Sequence, residues 1–235
     1  MPENMNLVQA AEFVHLSVND LKHVAQRGEI EAHEHGGDWH FRRGALEEWA
    51  QRSLLAASRR ELKSIHRDML DEHRREAGGT FSLVSLFHPE AIDLALTAKA
   101  KAGLIRDMTD LAEQSTLLYD PEALFKELMA REEAASTAVG RGIALLHPRF
   151  RDPYMFAESF IAYGRTERPV FFGAPDGEGT RHFFLICTTD QSSHLHVLAH
   201  LAMLAHGTDL VEELETVTDA EGVIAAIAKY EREFS

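Results

Sequence analysis

His147 is the residue of this chain best placed to do chemistry. It closes the run Arg131-Glu132-Glu133-Ala134-Ala135-Ser136-Thr137-Ala138-Val139-Gly140-Arg141-Gly142-Ile143-Ala144-Leu145-Leu146-His147. A neutral imidazole is a competent nucleophile near pH 7 and can carry a phosphoryl group as an intermediate. Phosphoryl transfer asks for little covalent help, but it needs positive charge and hydrogen-bond donors aimed at the phosphoryl oxygens. Arg131 can supply the charge. Ser136 and Thr137 can supply hydroxyl donors, and a loop containing Gly140 and Gly142 can turn backbone amides into an anion-binding concavity. A histidine after an apolar strand is, taken alone, a structural residue; the company it keeps points to phosphoryl chemistry.

A second segment lies downstream. Phe183-Phe184-Leu185-Ile186-Cys187-Thr188-Thr189-Asp190 reads as a buried strand ending in polar residues. A helix then opens at Ser193, with Leu195, Leu198, Leu201 and Ala202 at helical spacing on one apolar face. His194 stands near that helix start, where the dipole favours an anion.

The seventeen-residue string resembles the phosphorylation-site signature of the fructose/mannitol-type enzyme IIA domains of the bacterial sugar phosphotransferase system. That group includes the nitrogen-regulatory IIA proteins. Its pattern reads roughly R-E-x-x-x-S/T-T-x-I-G-x-G-I-A-I-P-H, and the departure is the proline before the histidine, here Leu146. The downstream H-L-x-x-L-A-x-L-A of the family is matched from His194, and the likeness extends from about residue 82 to the C-terminus. The resemblance implies that His147 accepts a phosphoryl group from a small phosphocarrier protein of the HPr or NPr type. It implies that His194 lies beside it and orients the phosphate, with Arg131 neutralising charge and Thr137 donating a hydrogen bond. Ser136, Gly140 and Gly142 would complete the phosphate site, and neither cofactor nor metal is called for. A separate IIB protein or a regulatory target would receive the phosphate or respond to it. Arg149 and Arg151, just after the site, could assist with phosphate but read rather as surface cations.

Positioning these groups takes a layered domain. Ile92-Asp93-Leu94-Ala95-Leu96 alternates as a strand, and residues 99–113 follow as an amphipathic helix opened by Lys99 and Lys101, which read as solvated. Asp120-Pro121-Glu122 is a strong helix start, with a capping Asp, Pro at the first helical position and an acid in the first turn. That helix, residues 121–131, delivers Arg131. Residues 156–163 and 169–172 read as strands, with 173–177 as a turn. Alternating strands and helices over residues 80–235 predict an α/β domain with one mixed β-sheet flanked by helices.

The first 55 residues carry another pattern. Leu7-Val8-Gln9-Ala10-Ala11-Glu12-Phe13 leads to a cap at Ser17 and a helix ending at Arg27, stopped by Gly28. A Gly36-Gly37 turn, Trp39-His40-Phe41-Arg42-Arg43 and a helix over 44–51 containing Leu46-Glu47-Glu48-Trp49 complete it. This layout resembles the small winged helix-turn-helix of excisionase and MerR-type regulators, and DNA is the partner that fold implies. Lys22, Arg27, Arg42 and Arg43 are the candidate DNA contacts. Yet these 55 residues hold five Lys/Arg against nine Asp/Glu, a net of −4, and phosphate contacts supply most non-specific affinity. Protein contact or dimerisation is the alternative use.

Composition bounds the rest. A net charge of −14 argues against wrapping nucleic acid or lying on an anionic membrane, and suits docking of a basic phosphocarrier. No apolar run approaches a membrane span, the start Met1-Pro2-Glu3-Asn4 lacks the features of a secretion signal, and the single Cys187 permits no internal disulfide. These features predict a cytoplasmic protein. Residues 56–79 read as a charged helical linker, whose Leu62, Ile65 and Met69, joined by Leu55 just before it, could pack on a second copy to form a homodimer. His196 and His200, one helical turn apart, lack a third metal ligand, and His33, His35 and His40 read as wing surface. The residues leave open whether the phosphate is signal or cargo, and whether the domain instead senses a ligand or protein without being phosphorylated.

Overall fold

The computed structural model describes residues 4–14, 16–56, 82–148 and 154–233, with the backbone alone at Leu55, Ala56, Gln191 and Ser192. The chain divides into two compact units, residues 1–78 and 79–235. The linker expected over 56–79 lies outside the described residues from residue 57 on, with Leu62, Ile65 and Met69, as do Arg149 and Arg151.

In the first unit, Asn6 and Gln9 form a reciprocal capping box that starts α1 (Leu7–Phe13). Ser17 caps α2 (Val18–Gln26) by accepting from the Asp20 amide at 3.1 Å. The wing is the hairpin of β2 (Ala32–His35) and β3 (Asp38–Arg42), and α3 (Arg43–Ala56) follows. Gly36 and Gly37 turn it with φ of 64° and 90°, the double left-handed conformation of a two-residue hairpin loop. A third strand that no periodicity in the sequence announces, β1 (Asn4–Asn6), pairs antiparallel with β3 and gives the order β1-β3-β2. Met5, Leu21, Phe41 and Leu46, each at most 2% exposed, form the core beneath.

The second unit is built on a five-stranded mixed sheet. Its strands are β4 (Phe87–Leu96), β5 (Ala138–Gly140), β6 (Ile143–Leu146), β7 (Phe160–Val170) and β8 (Thr180–Cys187), in the order β4-β7-β8-β6-β5. The β4–β7 and β6–β8 pairs are parallel, and the β7–β8 and β5–β6 pairs antiparallel. All of β6 and nearly all of β8 are buried, as in strands covered on both faces. On one face Ala144, Leu146, Phe183, Leu185, Phe160 and Ala162 join a cluster with Leu104, Met108, Leu124 and Leu128. Those last four come from α4 (Lys101–Gln114) and α5 (Pro121–Ala134). The alternate residues Ile143, Leu145, Phe184 and Ile186 point the other way, as the two-residue period of a strand requires. The C-terminal helices are α6 (Gln191–Gly207), α7 (Leu210–Leu214) and α8 (Ala220–Arg232), of which α6 packs on β6 and β8 and α8 on β4.

Local signals place these helices. The Asp120 carboxylate accepts from the Ala123 amide at 2.9 Å with Pro121 in the first turn, as expected. The cap of α6 is Asp190, which accepts from the Ser193 amide at 2.9 Å, so the helix begins earlier than the expected start at Ser193. His194 therefore still lies in the first turn. The strands expected at 156–163 and 169–172 are one long strand, β7, while Phe156 makes only an isolated bridge to Leu118. Pro169 fits inside β7 because the β7–β8 register shifts between Arg165 and Val170, where no ladder amide is demanded of it. No helix among the described residues is long and apolar enough to cross a membrane.

Candidate functional site

The parallel strands β6 and β8 end side by side, with Leu146 opposite Leu185. The residues just past their carboxyl ends, His147 and Thr188, thus emerge together, the position at which open α/β sheets place ligands. Thr188 Oγ1 lies 3.0 Å from His194 Nδ1, and the His194 ring meets that of His147 edge-on, with centroids 5.2 Å apart and planes at 64°. From the last turn of α5, Arg131 Nε donates to His147 Nε2 at 3.0 Å while its Nη1 donates to the Ala135 carbonyl at 2.7 Å. All three side chains are buried, His147 and His194 wholly and Arg131 at 5% exposure.

Two contacts fix the protonation of His147. Its Nδ1 sits 2.8 Å from the Leu145 carbonyl, which can only accept, so Nδ1 carries the proton. Its Nε2 faces an arginine N–H, which can only donate, so Nε2 presents a lone pair. Both constraints select the same neutral tautomer. Leu146 belongs to the packed core at 1% exposure, and the ring that follows it is held from both nitrogens. The missing proline thus leaves His147 oriented by other means.

The remaining expected phosphate ligands have other partners. Thr137 Oγ1 and the Thr137 amide both donate to Glu132 Oε2, at 2.7 and 2.9 Å. Ser136 Oγ donates to the Phe172 carbonyl at 2.8 Å and accepts from the Ala138 amide. Each hydroxyl has one proton, and both protons are spent inside the protein. Gly140 and Gly142 do not reach the site at all. They turn the β5–β6 hairpin at the opposite end of β6 from His147, five extended residues or about 16 Å away at roughly 3.3 Å per residue. Their φ values of 91° and 75°, with Arg141 between them at 52°, explain the glycines as a tight turn. Asp176 clamps that turn by accepting the Arg141 amide at 2.7 Å, and this bond with that from the Glu178 amide holds its carboxyl below the usual range. The Arg141 side chain bonds the carbonyls of Ala205 and Thr208 and the carboxylate of Glu212, pinning the end of α6.

Four participants are not evident from residue types and spacing. Thr188 holds the His194 ring. Glu132, beside Arg131 in the signature, is 5% exposed and receives Lys101 Nζ on its other oxygen at 2.7 Å. Lys101, expected to be solvated, is thereby tied to the site and lies 4.8 Å from the centroid of the Phe172 ring. The Leu145 carbonyl, a backbone atom, leaves no trace in residue types. Another buried histidine, His182, stands at the far end of the sheet in register with Ile143, bonded to Tyr163 and Glu215. Burial pushes its pKa down.

Residues 85–230 match the family described as phosphoenolpyruvate-dependent sugar phosphotransferase system, EIIA 2. The chain belongs to this family. Residues 5–53 match the helix-turn-helix domain family, so an EIIA 2 domain here follows a helix-turn-helix domain. The nitrogen regulatory protein of Bradyrhizobium diazoefficiens is 28% identical over 148 residues, which span 62% of this chain and 94% of that protein. The fructose-specific EIIABC component of Bacillus subtilis is 25% identical over 152 residues, covering 64% of this chain but 24% of the larger protein. Among solved structures, nitrogen regulatory protein IIA-Ntr from Neisseria meningitidis superposes with a TM-score of 0.56 at 29% identity, over 61% of this chain and 97% of that one.

In the helix-turn-helix domain, three of the four candidate DNA-contacting cations are paired with acids. Arg27 pairs with Glu29, Arg42 with Glu31, and Arg43 with Glu47 at 2.8 Å. The exposed pairs are individually weak, so a phosphate could displace them at small cost. Lys22 is exposed on α2. Cys187 is wholly buried, which pushes its thiol pKa well up. Neither His196 with His200 nor the wing histidines form a metal-holding group of three or more ligands among the described residues.

Proposed function

We propose that this EIIA 2 protein takes a phosphoryl group onto Nε2 of His147 from the phosphohistidine of a small phosphocarrier protein, and that the phosphate serves as a regulatory signal. The observation that carries this reading is the single tautomer of His147, whose Nε2 lone pair lies beside a guanidinium. In the step, that lone pair attacks phosphorus and the phosphorus–nitrogen bond of the donor breaks. The bond's electron pair stays on the donor ring, which departs as neutral imidazole. His147 becomes a phosphorylated imidazolium, whose Nδ1 proton the Leu145 carbonyl stabilises. Arg131 turns its N–H groups from Nε2 to the phosphoryl oxygens as charge arrives, so the group that holds the nucleophile afterwards neutralises the product. Donation from Thr188 to Nδ1 of His194 puts the His194 proton on Nε2, from which it bonds a phosphoryl oxygen. Thr137 and Ser136 act as anchors of the turn rather than as phosphate ligands, and Gly140 and Gly142 as makers of a distant one.

The signalling role rests on similarity to nitrogen regulatory proteins and on the helix-turn-helix domain at the N-terminus. A phosphate brings nearly two negative charges to one point and would bias docking of a partner. The complete burial of His147 favours one other reading, a domain that senses a partner without being phosphorylated. Incubation of the full chain with HPr charged from labelled phosphoenolpyruvate separates the two. Uptake of one acid-labile phosphoryl group supports the first reading, and no uptake supports the second.

Any DNA binding is expected to be weak at physiological salt, given the acid-paired arginines. Gel retention of genomic fragments across a salt series tests this. Replacing Arg42 and Arg43 with Ala should weaken retention on all fragments and flatten the salt slope by about one unit for each DNA phosphate no longer neutralised. Retention by no fragment at low salt would assign the domain to protein contact.

A further inference from the structure

The signature residue after Arg131 has an unassigned task. Glu132 is a carboxylate at 5% exposure, and each of its oxygens is engaged: Oε1 by Lys101 Nζ at 2.7 Å, Oε2 by the amide and hydroxyl of Thr137 at 2.9 and 2.7 Å. Burying a charge this deeply is costly unless it is paired and hydrogen-bonded, and a neutral residue could have joined α5 to β5 at less cost. What the carboxylate holds is the turn 135–137, and both halves of the phosphoryl-transfer site hang from that turn. On one side, the Ala135 carbonyl receives Arg131 Nη1 at 2.7 Å. On the other, the Thr137 carbonyl receives the Leu145 amide at 3.0 Å, and the Leu145 carbonyl in turn receives Nδ1 of His147 at 2.8 Å.

We infer that Glu132 is a positioning residue for the phosphoryl transfer: through Thr137 and Lys101 it locks the turn that aims Arg131 and fixes the reactive tautomer of His147. The inference rests on His147 being the phosphoacceptor. Glu132 touches neither nucleophile nor phosphate. Its effect is geometric and passes along two short chains of hydrogen bonds. Lys101 completes the arrangement from the first turn of α4. Its cation balances the carboxylate, so the Arg131 guanidinium is not drawn towards Glu132 and stays on His147.

The test uses the full chain and potassium phosphoramidate, a small phosphoryl donor that removes carrier docking from the measurement. Glu132→Gln keeps the shape but sets an amide against Lys101 and Thr137. Its phosphorylation rate should fall roughly ten- to a hundredfold, the scale expected for misplacing reacting groups by a fraction of an ångström to an ångström. Thr137→Val should fall similarly, Thr137→Ser should retain the wild-type rate, and the double variant Glu132→Gln/Thr137→Val should be no slower than Glu132→Gln alone. Nitrogen-15 spectra of the imidazoles give a readout that general destabilisation does not move. His147 should show one tautomer in the wild type and a mixture in Glu132→Gln. A Glu132→Gln rate within twofold of wild type, an unchanged His147 tautomer, or Thr137→Ser as slow as Thr137→Val would each overturn the inference. If Glu132→Gln does not fold, the two Thr137 variants decide alone. A wild-type chain that takes no phosphate from either donor removes the phosphoacceptor reading together with this inference. A labelled wild type with an equally fast Glu132→Gln removes this inference only.

Discussion

Full-length protein carrying His147→Ala is expected to take up no acid-labile phosphate from a charged phosphocarrier, while keeping its fold. The substitution removes the imidazole held between the Arg131 guanidinium and the Leu145 carbonyl, with its Nε2 lone pair facing the arginine. His194 is only 5.2 Å away, centroid to centroid, but its Nδ1 is held by Thr188. It should not substitute. A small cavity at the end of β6 will cost some stability, so the variant is to be compared well below its unfolding temperature, with circular dichroism confirming the fold. Labelling of the variant at the wild-type rate would remove His147 from the role of nucleophile.

Arg131→Ala should leave phosphorylation detectable but slow it by about a hundredfold, the usual cost of losing one preorganised charge donor at a transition state. Arg131 donates both to Nε2 of His147 and to the Ala135 carbonyl. Its fork allows the cation to stay anchored through Nη1 while Nε moves from the imidazole to the phosphoryl group. Lysine has a single ammonium on a flexible stem and cannot serve both ends, so Arg131→Lys should recover only a small part of the loss. Initial rates with a small donor and with the carrier protein would show the same ratio if the residue acts on the chemistry. A rate within twofold of wild type for Arg131→Ala would exclude that role.

The grouping of the candidate site is legible because it is written in residue types at fixed spacing. Arg131, His147 and His194 come from three separated elements, each with its own signal: the Asp120-Pro121 start of α5, the apolar run of β6, and the polar end of β8 before α6. Roles set by backbone geometry are not legible. Thr137 and Ser136 have the right groups for binding phosphate, yet a carboxylate one residue past Arg131 and the Phe172 carbonyl claim their protons. Residue types give no sign of either partner. Gly140 and Gly142 adjoin the nucleophile in sequence, but an extended strand converts five residues into a large separation, so nearness along the chain misleads. Lys101 reads as solvated because its partner Glu132 is 31 residues away. In the first unit, β1 escapes notice because the three residues Asn4-Met5-Asn6 carry no periodicity, and only β3 makes them a strand.

The most direct test of the central claim is to establish which atom bears the phosphorus in the phosphorylated full-length protein, by phosphorus-31 and nitrogen-15 NMR. The account predicts one phosphohistidine, coupled to Nε2 of His147, with the proton on Nδ1 retained against the Leu145 carbonyl. Phosphorus on Nδ1 of His147, or on His194, would contradict it.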